Sequence, residues 1–171
     1  MSMSEPLTVR MYPDPALSRR CNPATHFDAE LAALAHGMLD AMRGASGVGL
    51  AANQVGVATR MFVMSGEITN GVDRVFVNPE IALRSGICEL EEGCLSLPGL
   101  RYRVEGRAAI VTVRYQSLDG GRHEEDFQGM AALCAQHEID HLDGLTMIER
   151  LSPLKASRAK AKLSKAKNMR G

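Results

Sequence analysis

Residues 137–141 read His-Glu-Ile-Asp-His, and this short motif constrains the fold more than any other part of the chain. On a helix the two histidines can share one metal ion, because residues four apart lie one above the other on a helical face. Glu138 then lies beside the ion, where it can hold a metal-bound water as a general base. The motif therefore predicts a helix with a hydrolytic metal centre, and the alternative is a solvated helix with incidental histidines.

A catalytic ion usually takes three protein ligands and a water, so the two histidines leave one ligand to be found. The candidates are the acidic side chains, the four cysteines and three further histidines, His26, His36 and His123. Cys94 ranks first, because it lies between the flexible Gly93 and a short segment of strand-like composition, and a thiolate is a good ligand. The cysteines show no C-x-x-C spacing, so we expect free thiols or a metal ligand rather than a disulfide framework.

On the helix face that carries His137, the residues N-terminal to the motif are apolar. Met130, Leu133 and Cys134 lie seven, four and three residues before this histidine, which places them on the metal-facing side. They would form a pocket suited to an unbranched hydrophobic side chain. The alternative is that they are ordinary core residues.

Three helices are predicted. Residues 28–43 place leucines and methionines at helical spacing, and Gly44 stops this helix. The helix that carries the two histidines begins at residue 129 and has Gly144 well placed at its C-terminus. Ser152-Pro153 is a typical helix start, a capping hydroxyl followed by a proline in the first turn.

Strands are predicted from short runs of β-branched and aromatic residues. One covers residues 61–64, and a second covers 75–77 and ends at Asn78-Pro79. A longer strand at 108–118 is followed by an Asp-Gly-Gly turn, so residues 122–128 should return as its hairpin partner.

The composition is that of one globular domain: 171 residues, 45% of them hydrophobic and 23% charged. The glycine-rich loop at residues 44–56 is expected outside the core because its residues are small. We find no signal-peptide pattern and no window near the roughly 18 apolar residues of a membrane span, which favours a cytoplasmic protein. The predicted fold is α+β, a single domain with antiparallel β-sheets around a central metal-binding HExxH helix, plus N-terminal and C-terminal helices.

The C-terminal segment 151–171 is basic, whereas the net charge of the whole chain is zero, so the body before it is acidic. Its basic residues are Lys155, Arg158, Lys160, Lys162, Lys165, Lys167 and Arg170. Leu154 and Leu163 fall on opposite helix faces and aromatic residues are missing, so the segment is a poor membrane anchor. A solvated charged helix is one interpretation, and contact with a polyanion is the other.

Three segments resemble the motifs of the bacterial peptide deformylases. Residues 47–54 match G-x-G-x-A-A-x-Q, residues 92–96 match E-G-C-L-S, and residues 137–141 match H-E-x-D-H. They occur in the family's order and at its spacing, and the resemblance extends over nearly the whole chain. It implies a hydrolase that removes the formyl group from the N-terminal formyl-methionine of newly synthesised polypeptides and releases formate.

The resemblance also implies one divalent metal per chain, usually Fe²⁺, with Zn²⁺, Ni²⁺ or Co²⁺ found in its place. The implied ligands are Cys94, His137 and His141. Metal-bound hydroxide would attack the formyl carbonyl, with Glu138 accepting the proton and delivering it to the departing amine. The side-chain amide of Gln54 and the backbone N–H of Leu95 would stabilise the oxyanion.

The family's methionine pocket and peptide-binding loop carry over to this chain residue by residue. Gly49 lets the backbone approach an extended peptide, as in strand addition. The implied substrate-binding residues are Val48, Gly49, Leu90, Gly93, Arg101, Met130, Leu133 and Cys134. Residues 1–150 would form the catalytic domain, with residues 151–171 as a basic C-terminal helix of the same domain.

One position departs from the family pattern, which usually has an arginine in a V-x-R context after the second motif. Here the run is Val104-Glu105-Gly106-Arg107, so the arginine is displaced by one residue. Arg101 aligns better and is expected to contact the peptide backbone. The displacement would bear on substrate affinity rather than on hydrolysis. Asp140, which narrows the third motif, has no partner that the sequence identifies.

The partners that the resemblance implies are formylated nascent polypeptides. The charge of the basic helix adds the hypothesis that it contacts the ribosome, and a membrane or DNA is not expected. Two other functions remain open. One is a non-catalytic ribosome-binding relative, and the retained set of metal-binding and catalytic residues argues against it. The other is a general HExxH zinc endoprotease, which the cysteine ligand and the short chain disfavour.

Overall fold

The helices form where the sequence predicts them. In the computed structural model, which describes residues 5–170, α1 spans Ala29–Gly44, α2 spans Gly129–Leu142 and α3 spans Pro153–Arg170. The Asp28 side chain caps α1 by accepting a hydrogen bond from the backbone N–H of Leu31 at 3.1 Å. Gly144 follows α2 with φ +81°, the left-handed conformation that commonly ends a helix.

Seven strands form two antiparallel sheets. The strands are β1 (Gly49–Ala51), β2 (Met61–Met64), β3 (Arg74–Ser85), β4 (Glu91–Cys94), β5 (Leu97–Arg103), β6 (Ile110–Gln116) and β7 (Arg122–Gln128). The larger sheet has the order β1-β2-β3-β6-β7, and β4 pairs with β5 in a separate hairpin. The predicted hairpin of β6 and β7 is confirmed, with Ile110 opposite Gln128 and Gln116 opposite Arg122.

The prediction that a strand ends at Asn78-Pro79 is wrong. Strand β3 continues through both residues to Ser85 and pairs with β6 along its second half. The register shifts between Val77 and Glu80, and Asn78 adopts φ +50° there. Such a bulge accommodates a proline, because the residues inside it do not all need to donate to the neighbouring strand.

The prediction that the glycine-rich loop lies outside the core is also wrong. Its second half forms β1 and a 3-10 helix at Ala52–Val55, and every residue from Leu50 to Val55 is buried. Small side chains here allow close packing between the sheet and its neighbours rather than exposure to solvent.

Helix α2 lies at the centre of the molecule, and all its residues from Ala131 to Leu142 are buried. Its apolar side chains pack with Phe62, Phe76 and Phe127 of the larger sheet. Helix α1 packs with β1 and β2 in a second cluster. The predicted α+β fold, with antiparallel sheets around a central histidine-bearing helix, is confirmed.

Helix α3 is not fully solvated. Ala159 and Leu163 are buried on one narrow face and pack with Leu97 and Leu100 of β5, whereas Leu154 is 61% exposed. Within residues 5–170, we find no helix with the length and apolar character needed to cross a membrane. The division into residues 1–150 and 151–171 stays a prediction, and its outer ends, residues 1–4 and 171, lie outside the described residues.

Candidate metal centre and active site

Three ligand atoms from two elements converge at one point. Cys94 ends strand β4, and His137 and His141 lie one turn apart on α2. The Nε2 atoms of the two histidines are 3.1 Å apart, and Nε2 of His141 is 3.3 Å from Sγ of Cys94. All three ligand atoms lie within 4.8 Å of one another.

This donor set fits a divalent transition metal. Two nitrogen ligands of one tetrahedral ion, each bonded at about 2.0–2.1 Å, lie roughly 3.3 Å apart, close to the separations found here. A thiolate and two imidazoles are ligands that Zn²⁺ and Fe²⁺ accept. Cys94 is therefore the cysteine that joins the histidines, whereas Cys21, Cys88 and Cys134 are free thiols outside the cluster.

A buried carboxylate forms a hydrogen bond with the ring nitrogen of His137 that faces away from the ligand cluster. Nδ1 of this histidine lies 2.9 Å from Oε1 of Glu92, which is two residues before Cys94 on β4. Burial alone would raise the pKa of Glu92, but hydrogen bonds from Arg107 and His137 lower it to about 2. Because the ionised carboxylate accepts the Nδ1 proton, the Nε2 lone pair faces the ligand cluster.

The same region identifies the partners of Asp140. Its carboxylate accepts hydrogen bonds from Nη1 of Arg107 at 2.7 Å and from Nη2 of Arg150 at 2.8 Å. Arg107 also binds Glu92 with two nitrogens, at 2.8 and 2.7 Å. Arg107, the displaced arginine, is only 5% exposed and its nitrogens bind these carboxylates. The effect of its displacement on substrate affinity stays a prediction.

Asn53 contacts the second histidine through the backbone. Its side-chain amide donates to the carbonyl oxygens of His141 and Arg19, the latter at 3.2 Å. This ties the 3-10 helix after β1 to the end of α2, next to the ligand cluster. Sequence reasoning missed the contact, since an asparagine inside a glycine-rich segment is more typical of a turn.

Glu138 is buried with its carboxylate against β1. A Cβ atom added to Gly49 would lie 2.9 Å from Oε1 of Glu138, which shows how closely the strand approaches this side chain. Its Oε2 atom has no hydrogen-bond partner among residues 5–170. Burial raises the pKa of Glu138 to about 7, which suits a group that takes up and returns a proton near neutral pH.

The carboxamide of Gln54 has a fixed orientation. Its oxygen accepts the backbone N–H of Ala51 at 2.9 Å, so its nitrogen points to the Oγ of Ser96 at 3.1 Å and to the Sγ of Cys94 at 3.7 Å. A donor held in place beforehand can stabilise negative charge that develops on a reacting oxygen.

A cavity of about 510 Å³ opens beside these groups. Its lining includes Gln54, Cys94, Leu95, His137 and Glu138. Of the predicted substrate-binding residues, it brings together Val48, Gly49, Gly93, Arg101, Met130, Leu133 and Cys134. Leu90 lies outside this lining and is 43% exposed, so its role in binding stays a prediction.

The apolar wall serves both the cavity and the core. Leu133 and Cys134 are buried and line the cavity, whereas Met130 at its edge is 39% exposed. Burial, together with the nearby carboxylates of Glu138 and Glu92, raises the pKa of Cys134 well above its ordinary value. The thiol therefore stays protonated and acts as a small apolar side chain.

Comparison with known proteins identifies the family to which this arrangement corresponds. The family model described as polypeptide deformylase matches residues 6–157. A peptide deformylase of Chromobacterium violaceum is 43% identical over 159 residues, which are 93% of this chain and 95% of that protein. A peptide deformylase of Acidobacterium capsulatum is 47% identical over 84% of this chain and 85% of its own length.

Solved structures agree with the sequence relatives. The crystal structure of a peptide deformylase from Legionella pneumophila superimposes with a TM-score of 0.88 at 41% identity, covering 95% of each chain. The peptide deformylase from Thermus thermophilus gives a TM-score of 0.83 at 40% identity, covering 92% of this chain and 95% of that one.

Proposed function

The chain belongs to the polypeptide deformylase family, and on that basis we propose that it removes the formyl group from the N-terminal formyl-methionine of newly synthesised polypeptides and releases formate. The observation that carries the proposal is the convergence of one thiol and two imidazoles at the wall of a cavity that Glu138 and Gln54 also line. The relatives that match most of the chain are named peptide deformylases, which does not favour a non-catalytic relative or a general endoprotease.

The proposed ligands are Cys94, His137 and His141, which would hold one divalent ion per chain. Such an ion lowers the pKa of a bound water and polarises a carbonyl oxygen. We expect Fe²⁺ in the cell because the chain resembles a family in which that ion is usual. Zn²⁺, Ni²⁺ or Co²⁺ are alternatives in the isolated protein, because a mixed thiolate and imidazole set accepts all four ions.

Glu138 is the proposed general base and acid. Its unpartnered Oε2 would accept a proton from the attacking water and deliver it to the nitrogen of the methionine when the C–N bond breaks. The products are then formate and a free amino terminus. A carboxyl group with a pKa of about 7 can exist in both protonation states near neutral pH, as the two transfers require.

Gln54 and Leu95 are the proposed oxyanion donors. The Gln54 nitrogen is held near Cys94 by the bond between its oxygen and Ala51. The backbone N–H of Leu95 follows directly after the cysteine on the cavity wall. Loss of one such donor typically lowers the rate by about 10²–10³-fold.

The substrate methionine is proposed to occupy the apolar part of the cavity. Leu133, Cys134 and Met130 line it with aliphatic, thiol and thioether groups, which suit an unbranched thioether side chain. Arg101 and Gly49, which also line the cavity, would contact the peptide backbone. An acetyl group in place of formyl adds a methyl at the reacting carbon and should be rejected.

A turnover assay tests the proposal directly. Iron-loaded protein prepared without oxygen should release formate from a formyl-Met peptide and should leave acetyl-Met peptides and internal peptide bonds intact. Glu138→Ala should lower kcat by at least about 10²-fold while one metal ion per chain remains bound. Cleavage of all three substrates at similar rates, or full activity of Glu138→Ala, would contradict the proposed function.

Contact with the ribosome is proposed for the exposed face of α3. Its basic side chains from Lys155 to Lys167 are exposed, and none of them forms an ion pair with an acidic group in the described part of the chain. Lys162 donates instead to the carbonyl of Gly99 at 3.0 Å. Such a surface supports electrostatic binding to RNA, which should weaken steeply as salt rises.

The test replaces charges and keeps the helix, because Ala159 and Leu163 of α3 are part of the core. The variant carries three glutamines at exposed positions of α3, Arg158, Lys165 and Lys167. The matched control carries three glutamines at exposed positions elsewhere, Arg19, Arg20 and Arg122. Co-sedimentation with ribosomes at low salt should fall for the variant and not for the control, and equal binding of both would refute ribosome contact through α3.

A further inference from the structure

Arg107 lies between the two elements that supply the metal ligands. Its guanidinium binds Glu92 of β4 through Nε and Nη2 and Asp140 of α2 through Nη1. All three side chains are buried. One side chain therefore connects the strand that ends in Cys94 to the helix that carries both histidines.

Each carboxylate that Arg107 binds is next to a ligand. Glu92 accepts the Nδ1 proton of His137 and is two residues before Cys94. Asp140 directly precedes His141 and is also bound by Arg150 from the 3-10 helix Met147–Arg150. A displacement of Arg107 would therefore affect the position of all three ligands.

The backbone around Arg107 is fixed as well. Gly106 adopts φ +87°, which turns the chain so that the arginine points inward. The carbonyl oxygen of Arg107 accepts the N–H of Cys88 at 2.8 Å. The guanidinium is thus anchored from its own main chain, and the two carboxylates are positioned relative to it.

We propose that Arg107 is a positioning residue for the metal centre, which holds the Cys94 strand and the histidine helix at the separation that the ion requires. The planar guanidinium group is essential, because three of its nitrogens, in a fixed arrangement, each bind a carboxylate oxygen, whereas a lysine side chain has only one nitrogen. This inference rests on the proposed metal ligands and is independent of the substrate. Arg107 is buried and is not among the residues that line the cavity, so the proposal gives it no contact with the peptide.

Arg107→Lys tests the proposal, with Co²⁺ as the metal probe. Co²⁺ affinity is measured by competition with a chromophoric chelator, and the thiolate-to-cobalt absorption band reports whether Cys94 remains a ligand. We expect Arg107→Lys to bind Co²⁺ about 10–100-fold more weakly and to show a weakened or shifted band. In turnover, kcat should fall while the KM for a formyl-Met peptide changes little.

Arg74→Lys is the matched control. Arg74 is a partly buried arginine that binds two oxygen acceptors, Glu125 and Tyr115, on the larger sheet and away from the metal ligands. The Arg74→Lys variant should bind Co²⁺ with the same affinity as the unaltered protein. Equal losses of affinity in Arg74→Lys and Arg107→Lys would overturn the proposal, because the effect would then be a general loss of stability.

Further outcomes are also decisive. A folded Arg107→Lys with unchanged Co²⁺ affinity and an unchanged band would overturn the proposal. If this variant does not fold, Asp140→Asn replaces it, since it weakens the contacts of Arg107 and Arg150 with α2 and leaves the pair of Arg107 with Glu92 intact. Unchanged Co²⁺ binding in Asp140→Asn would overturn the proposal too. Absence of the thiolate band in the unaltered protein would instead refute the metal ligands of the proposed function.

Discussion

Gly49→Ala places a methyl group where the structure has no room for it. The added Cβ would overlap with the Sγ of Cys134 and would lie 2.9 Å from Oε1 of Glu138, both on the buried helix α2. Contacts this short force the thiol into another rotamer and push the carboxylate away from β1. The substitution should therefore lower both stability and turnover.

The size of the effect follows from the contacts. Overpacking a buried site usually costs about 1–3 kcal/mol of unfolding free energy, and for a chain of this length each kcal/mol lowers Tm by roughly 2–4 °C. We therefore expect a decrease in Tm of several degrees, measured by differential scanning calorimetry on protein with one metal ion per chain. The matched control is Gly44→Ala at the end of α1, where an added Cβ meets no atom within 4 Å and where alanine favours the helix.

The shorter of the two contacts can be tested by a double-mutant cycle. In Gly49→Ala with Cys134→Ala the sulfur is gone, so the double variant should recover part of the stability that Gly49→Ala loses. If Gly49→Ala is as stable as Gly44→Ala and the second substitution adds no coupling, the close approach of β1 to α2 described here is incorrect.

Two further predictions concern regions outside the active site. Leu163→Ala on the buried face of α3 should lower the free energy of unfolding, measured in urea, by about 2–5 kcal/mol. Leu154→Ala on the exposed face of the same helix should change that free energy by less than about 0.5 kcal/mol. Equal effects would contradict the docking of α3. A hydrogen bond from the Gly66 N–H at 2.7 Å and one from Arg43 lower the pKa of Asp73. A carboxyl group with a lowered folded pKa stabilises the fold above its ordinary pKa and loses that contribution as pH falls through the folded value. Asp73→Asn should therefore lower the free energy of unfolding at pH 7, and by less near pH 3. A difference in unfolding free energy that does not change with pH would refute this.

The sequence predicts the fold well where periodicity is strong. The helical spacing of α1 and the Asp-Gly-Gly turn that predicts β7 as a hairpin partner correspond closely to the observed bounds, Ala29–Gly44 and Arg122–Gln128. The motif at residues 137–141 predicts a helix that brings both histidines to one face, and α2 is that helix. These features depend on local pattern, which a single sequence contains.

The incorrect predictions arose where tertiary contacts override local signals. The Asn78-Pro79 sequence is typical of a strand end, yet the strand continues through a bulge there. The Asn78 side chain forms hydrogen bonds with both the N–H and the carbonyl of Ala24 at this point. The segment from Leu50 to Val55 reads as a loop because its residues are small, but small residues also allow the close packing seen around β1.

Arg107 shows the same limit at the active site. Motif position shows only that this arginine is displaced by one residue, whereas the fold places it between two buried carboxylates. The available signal was charge balance, since Glu92 and Asp140 both occur in motifs that become buried and a buried carboxylate needs a partner. Identifying which arginine provides that partner requires the tertiary structure, which brings the segment after β5 between Glu92 of β4 and Asp140 of α2.

Titration of metal-free protein with Co²⁺, followed at once by absorbance and by formate release from a formyl-Met peptide, tests the central claim most directly. We predict that the thiolate-to-cobalt band and the rate of formate release rise together and saturate at one equivalent of metal per chain. In Cys94→Ala both signals should be lost, because one of three converging ligands is removed. Formate release that continues in Cys94→Ala, or that saturates without the band, would contradict a hydrolytic centre built from Cys94, His137 and His141.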